Sequence, residues 1–248
     1  MVSKSQIKLI TSLSQKKYRR KNGLFAAEGK KTVSELLESD LELSILFTEE
    51  DIFEAPAEKI QLLEPGELKK ISFLKTPQTC LALFKIPQFQ QPSAEGLVLA
   101  LDGVSDPGNL GTIIRLCDWF GVQQIVCSEN TVDCYNPKVI QATMGSISRV
   151  RLAYLDLPSY MAEIAEKQLP VFGGFMDGQN VYKEDLPKSA VIVMGNEANG
   201  ISEEIAGLIT RKIAIPQMGE AQETESLNVS TATAILLSEF RRTLFTGK

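Results

Sequence analysis

The feature that most constrains this chain is the rhythm of its second half, where short apolar runs alternate with longer segments patterned as helices. LVLALDGV (97–104) is almost uninterruptedly apolar, as suits a strand covered on both faces in a parallel sheet. In DPGNLGTIIRLCDWFG (106–121), Asn109 reads as an N-cap, and Ile113, Leu116, Cys117 and Phe120 recur at i, i+3, i+4 and i+7. QQIVCSE, VFGGFMD, SAVIVMGNE and RKIAIPQ read as further strands. Asn136-Pro137 reads as a cap with proline at the first helical position. A helix from near Ser226 to Leu244 closes the chain. This alternation predicts an α/β domain around a parallel sheet.

The first half is patterned differently. VSELLES reads as helix, and ELSILFT and CLALFKI read as strands. The stretch IPQFQQPSAEG, with two prolines and three glutamines, reads as a seam. The expected organisation is a small domain over 1–88, a linker over 89–95 and a larger domain over 96–248.

Several function classes are excluded early. The 248 residues contain no histidine, which removes histidine-based nucleophilic triads and most zinc hydrolases. Cys80, Cys117, Cys127 and Cys134 show no C-x-x-C spacing and are expected as buried thiols. No metal is expected. No apolar run approaches the ~20 residues of a membrane span, and the basic N-terminus lacks the apolar core of a secretory signal. A cytoplasmic location is therefore expected, with no membrane partner. The chain contains no G-x-G and no Walker loop, against a Rossmann or P-loop nucleotide site.

The net charge is −5, but its distribution is uneven. Residues 1–31 hold nine Lys/Arg and one acid, Glu28, whereas residues 32–70 hold eleven acids and three lysines. The cluster Lys16, Lys17, Arg19, Arg20 and Lys21 reads either as a footprint for a polyanion or as a solvated helix face.

Ligands of open parallel sheets sit beyond the carboxyl ends of the strands. Three polar, glycine-bearing segments fall there: 102–115, 194–202 and 215–232. Taken singly, each has a plain structural reading. Asn109 and Ser226 are then helix caps, Arg115 a surface cation, and Gly195 and Gly200 turn residues. Taken together, the coincidence must occur three times.

The signatures N-x-G-x-x-x-R (Asn109, Gly111, Arg115), G-x-E-x-x-G (Gly195, Glu197, Gly200) and S-L-N-V-S (226–230) resemble the three motifs of the SpoU (TrmH-like) family of RNA 2′-O-ribose methyltransferases, in the SPOUT superfamily. The resemblance covers the second half. The first half, through LFAAEGKKTVSELL, is similar to the small ribosomal-protein-like RNA-binding domain that often precedes it. The resemblance implies an α/β domain whose C-terminal part is tied in a trefoil knot. It implies S-adenosylmethionine as cofactor, held by Met194, Gly195, Gly200, Ile215 and Leu227. It implies a catalytic set of Asn109, Arg115, Glu197, Ser226 and Asn228, and a homodimer whose partner subunit helps to build the site. Arg115 is either the base for the 2′-hydroxyl or a positioning group. Glu197 orients Asn109 or its loop. RNA is the implied substrate, ribosomal preferred to transfer RNA. Two rivals stand beside it: an RNA-binding protein that kept the fold without catalysis, and a methyltransferase acting on something other than RNA. Two departures concern loop shape: Ala198 follows Glu197 where many members have glycine, and the stretch from Pro216 to Ser226 is longer than in compact members.

Overall fold

The computed structural model describes residues 1–88, 92, 95–219 and 226–246. The expected linker at 89–95 lies outside them except for Pro92 and Glu95, as does 220–225 of the third segment. The chain forms two compact units, and the first takes in more than the small domain expected from sequence. It comprises Met1–Gln88 together with Asp133–Ser148.

In the first unit, α1 (Lys4–Ser12) opens with a capping box between Ser3 and Gln6. Helix α2 (Lys16–Asn22) ends where Gly23 turns left-handed at φ 63°. Then follow β1 (Leu24–Glu28), α3 (Lys30–Leu37), β2 (Leu43–Thr48), β3 (Ile60–Leu62) and β4 (Cys80–Lys85). The sheet order is β1-β4-β2-β3, antiparallel except for the parallel β2/β3 pair. Ile10, Leu13, Phe47, Leu68, Ile71, Leu81 and Leu83 bury its core. The helix Pro137–Thr143, from the segment that joins this unit, packs on β1 with Val139 and Ile140 buried.

The second unit carries β5 (Leu97–Asp102), α4 (Pro107–Trp119) and β6 (Gln124–Cys127). The chain departs here for the helix already described, α5 (Pro137–Thr143), and returns through β7 (Arg151–Tyr154), α6 (Leu157–Glu166), β8 (Val171–Asn180), β9 (Ala190–Gly195), α7 (Glu203–Ala206), β10 (Arg211–Ala214) and α8 (Val229–Thr246). The six strands form one parallel sheet in the order β10-β8-β9-β5-β6-β7. Strands β5 and β9 are buried along their whole length, as the unbroken apolar run of β5 predicts. All four cysteines are free and buried.

Three local expectations are corrected. Helix α4 starts two residues before Asn109: Asp106 is the cap, its side chain accepting from the Asn109 N–H, and Pro107 is the first helical residue. The stripe it buries is Leu110, Ile113, Ile114 and Cys117, while Leu116 and Phe120 are only half-buried. Helix α8 starts at Val229, and the Asn228 side chain accepts from the N–H groups of Ser230 and Thr231, so Asn228 rather than Ser226 is its cap.

Candidate active site

The site grows from the carboxyl ends of β5 and β9, which are neighbours with Asp102 opposite Gly195. Asp102 Oδ2 accepts the Ser202 N–H at 2.7 Å, closing the segment after β9 back onto the end of β5. Asn196 folds the intervening loop. Its N–H donates to the Gly200 carbonyl at 2.8 Å, and the Gly200 N–H donates back at 2.9 Å. Its side chain donates to the Gly103 carbonyl at 2.7 Å and accepts from Ala198 and Asn199 N–H. Gly200 holds φ at 69°, and a Cβ on Gly195 would stand 2.1 Å from the Gly200 carbonyl carbon. Both positions of the second motif therefore require glycine.

This loop aims Glu197 at the start of α4. One carboxylate oxygen accepts from the Asp106 N–H at 3.1 Å and the Asn109 side-chain amide at 2.9 Å. The other accepts from the Ser105 N–H at 3.1 Å and its hydroxyl at 3.0 Å. Partial burial alone would push this carboxyl up, but the donors from Asn109, Ser105 and Asp106 outweigh it and bring its pKa down to about 2. Glu197 is ionised and fully engaged.

The chain of contacts continues through Asn109, whose side-chain oxygen accepts from the Asn228 amide at 2.9 Å. Asn228 thus caps α8 with its oxygen and grips Asn109 with its nitrogen. Because Asp106 does the capping, the Asn109 side chain is released for this bridge. At the other end of the same helix pair, Arg241 of α8 donates to the carbonyls of Phe120 and Gly121, each at 2.7 Å. Helices α4 and α8 are therefore pinned side by side at both ends.

Beside this bridge opens a cleft of about 1000 Å³. Met194, Gly195, Gly200, Ile215 and Leu227, expected around the cofactor, all line it, as do Glu197, Ser226 and Asn228. Asn109 touches it only through Glu197 and Asn228. Arg115 does not line it; the side chain is exposed on α4 and has no partner among the described residues.

Among the five expected RNA contacts, Lys17, Arg20 and Lys21 are exposed and Lys16 is half-buried. Arg19 departs from that reading. It is 2% exposed, its Nε donates to Asp133 at 3.0 Å, and its Nη1 donates to the carbonyls of Leu13 and Ser14. A cation on a seven-residue helix faces inward here because an acid and two free carbonyls meet it.

Sequence reasoning missed Asp106, Asn196 and the pair Ser128 and Thr131, whose hydroxyls accept from the Gly103 N–H at 2.8 and 3.2 Å. Asp106 had a signal, since Asp-Pro is an N-cap followed by a favoured first helical residue. The Ser128–Thr131 contact depends on β6 lying beside β5 and had none. Among the described residues no group of three or more His, Cys, Asp or Glu side chains is placed to hold a metal. Among the same residues no helix is long and apolar enough to cross a membrane.

Comparison with known proteins agrees with this architecture. Residues 96–238 match the SpoU rRNA Methylase family, and residues 4–82 match an MRM3-like substrate binding domain. The chain is 31% identical over 235 residues to the 23S rRNA (guanosine(2553)-2′-O)-methyltransferase RlmP of Bacillus subtilis, covering 92% of this chain and 93% of that one. Its fold is similar to a TrmH-family protein from Porphyromonas gingivalis, with TM-score 0.91, 40% identity and 98% and 99% of the two chains covered. It is likewise similar to an AdoMet-bound rRNA methyltransferase from Sinorhizobium meliloti, with TM-score 0.84, 28% identity and 98% and 97% covered.

Proposed function

The chain belongs to the SpoU rRNA Methylase family, and from that membership we propose that it transfers a methyl group from S-adenosylmethionine to a ribose 2′-hydroxyl of ribosomal RNA. The observation that carries this reading is the Glu197–Asn109–Asn228 bridge, which ties all three polar segments to one rim of the cleft. S-adenosylmethionine supplies an already activated methyl group when bound, so the protein has to align the reactants and manage one hydroxyl proton. The lining suits such a molecule: Ile215, Leu227, Val229 and Leu236 offer apolar contact, and the backbone of Gly195 and Gly200 stands bare of side chains. Alignment of this kind is worth ~7–11 kcal/mol.

Glu197 is the holder of the site and carries no proton in turnover. Its two oxygens accept from Ser105, Asp106 and Asn109, and so it sets where α4 begins. We assign Arg115 to donating through its fork to the RNA phosphate or the 2′-oxygen, because guanidinium groups stay protonated in proteins. Gly108, Thr112, Arg115 and Trp119 make one exposed stripe along α4, with Trp119 84% exposed. We take this stripe as the contact face of a homodimer, through which Arg115 serves the cleft of the second copy. On α8, the residues Val229, Ala232, Leu236, Phe240 and Leu244 recur at spacings of three or four; Val229, Leu236 and Phe240 are buried within the subunit, Phe240 meeting Phe172 edge-on at 5.1 Å, while Ala232 is half-buried and Leu244 exposed. The first unit, with Lys17, Arg20 and Lys21 exposed, is assigned to RNA binding, the C-terminal region to a knotted crossing, and the protein to the cytoplasm. The non-sequential strand order and the contacts of α8 with α4 and β9 support the knot.

Incubation with ribosomal RNA and S-adenosylmethionine, followed by mass analysis of nuclease digests, should yield a 2′-O-methyl nucleotide. Arg115→Lys keeps the charge and loses the planar fork. It should fold and bind cofactor yet lose methyl transfer by at least ~10²-fold. Near-normal turnover of that variant at saturating RNA would leave Arg115 a surface cation.

A further inference from the structure

A second cavity lies in the first unit, away from the cleft just described. It has a volume of about 160 Å³ and is built from two stretches far apart in sequence. Glu28, Phe73 and Leu74 come from the region matching the substrate binding domain; Pro137, Lys138 and Gln141 come from α5, within the region matching the methylase family. Neither region contains the cavity by itself.

Its chemistry is specific. Glu28 is 6% exposed, and its two carboxylate oxygens accept from the Ser72 hydroxyl and the Phe73 N–H. Those bonds shape the turn that supplies the Phe73 and Leu74 wall. Each oxygen still has acceptor capacity, since a carboxylate offers about four lone-pair sites. Burial pushes the Glu28 carboxyl above its ordinary value, with Ser72 and Phe73 pulling it back. Lys138 is exposed and Gln141 half-buried, and neither side chain has a hydrogen-bond or ion-pair partner among the described residues. Lys75, next to Leu74, is also exposed. The cavity is smaller than the ~300 Å³ at which sites for whole small molecules begin. It suits one flat heteroaromatic ring system. An acceptor inside, an amide on the wall, an aromatic and a proline for contact, and a cation outside match a ring with edge donors joined to a phosphate.

We propose that this cavity receives a single unpaired base of the RNA substrate, with a ring N–H or amino group on Glu28 and Gln141 and the adjoining phosphate on Lys138. The proposal rests on the reading of this protein as an RNA methyltransferase. The base would be an anchor away from the methylated ribose, chosen by being unpaired, because extruding a paired base costs a few kcal/mol.

The test is an abasic scan of a methylatable ribosomal RNA fragment, read as binding affinity and as KM and kcat. With the wild-type protein, one abasic position other than the methylated nucleotide should weaken binding by about tenfold, within the range that stacking a base gives. Gln141→Phe, which fills the cavity, should bind intact RNA about as weakly and be indifferent to that abasic position, with kcat and cofactor binding unchanged. Gln141→Met, close in volume to the native side chain, should show the same loss of coupling more weakly and stands in if the larger side chain disturbs folding. Lys138→Ala should lower the salt slope of binding by about 0.7. Methylation that proceeds with no abasic position coupled to Gln141 would overturn the anchor while leaving the proposed function standing. Absence of RNA methylation by the wild type would overturn both.

Discussion

At the scale of single residues, two carboxylates converge on the start of one helix from opposite sides of the sequence. Asp106 caps α4, and Glu197 gathers four donors around the start of the same helix. Asp106→Ala should cost about 1 kcal/mol of stability, as a lost cap does, measured by chemical denaturation. Asn109→Ala should leave that stability nearly intact but lower methyl transfer by about 10²-fold, since a small misplacement of the reacting groups is enough for that. Equal stability losses in the two variants would return the capping role to Asn109. Glu197 has its pKa depressed to about 2 from an ordinary 4.5, so its stabilising contribution is complete above pH 4.5 and is lost as pH falls towards 2. Carboxyl NMR should place its midpoint near 2, and activity between pH 5 and 9 should carry no inflection from this group. A midpoint above 4 would mean that the four donors do not hold it.

At the scale of elements, the clearest contrast lies inside α2. Arg19 and Arg20 are adjacent and chemically identical, yet one is buried against Asp133 and the other faces water. Arg19→Ala strands Asp133, whose side chain is only 13% exposed, and should destabilise the protein by roughly 3–5 kcal/mol. Arg20→Ala should leave stability within about 0.5 kcal/mol and instead lower the salt slope of RNA binding by about 0.7. The two measurements are thermal unfolding and binding across a salt series; an exchange of the two phenotypes would overturn the assignment. The helix pair α4 and α8 shows the same dependence on neighbours. Each is amphipathic by its own periodicity, but their alignment comes from Asn228 on Asn109 at one end and Arg241 on two carbonyls at the other.

At the scale of the whole molecule, the chain is organised less simply than its linker-like composition suggests. Asp133–Ser148 leaves the large sheet between β6 and β7 and belongs to the first unit, with Val139 and Ile140 buried and Tyr135 against Phe25 at 4.9 Å. A cut after residue 88 would strip that segment of its core. The remaining polypeptide should be less stable than the whole chain and should bind a hydrophobic dye, an outcome that equal thermal stability of the two would contradict. The proposed dimer belongs to this scale too. Trp119→Glu places a charge on the exposed stripe of α4 and should give a monomer in sedimentation at micromolar concentration, inactive but able to bind cofactor. A dimer that survives the substitution, or a monomer that stays active, would remove the stripe from the interface.

The sequence by itself determined the parallel α/β sheet, the strands β5 and β9 and the three segments at the carboxyl ends of strands, because burial on two faces and helical periodicity are written in neighbouring residues. Residues of its second and third motifs, Gly195, Glu197, Gly200 and Ser226 to Val229, lie along the cleft, whereas those of the first, Asn109, Gly111 and Arg115, do not line it. What it left open were partnerships: that Asn228 grips Asn109 from 119 positions away, that Arg19 turns inward to an acid 114 positions away, and that α5 closes a cavity with Glu28. These were decided by the tertiary structure alone, because a hydrogen bond or an ion pair is set by which atoms arrive within about 3 Å of each other. Sheet order and the path of the chain through space control that distance, and no local pattern encodes either.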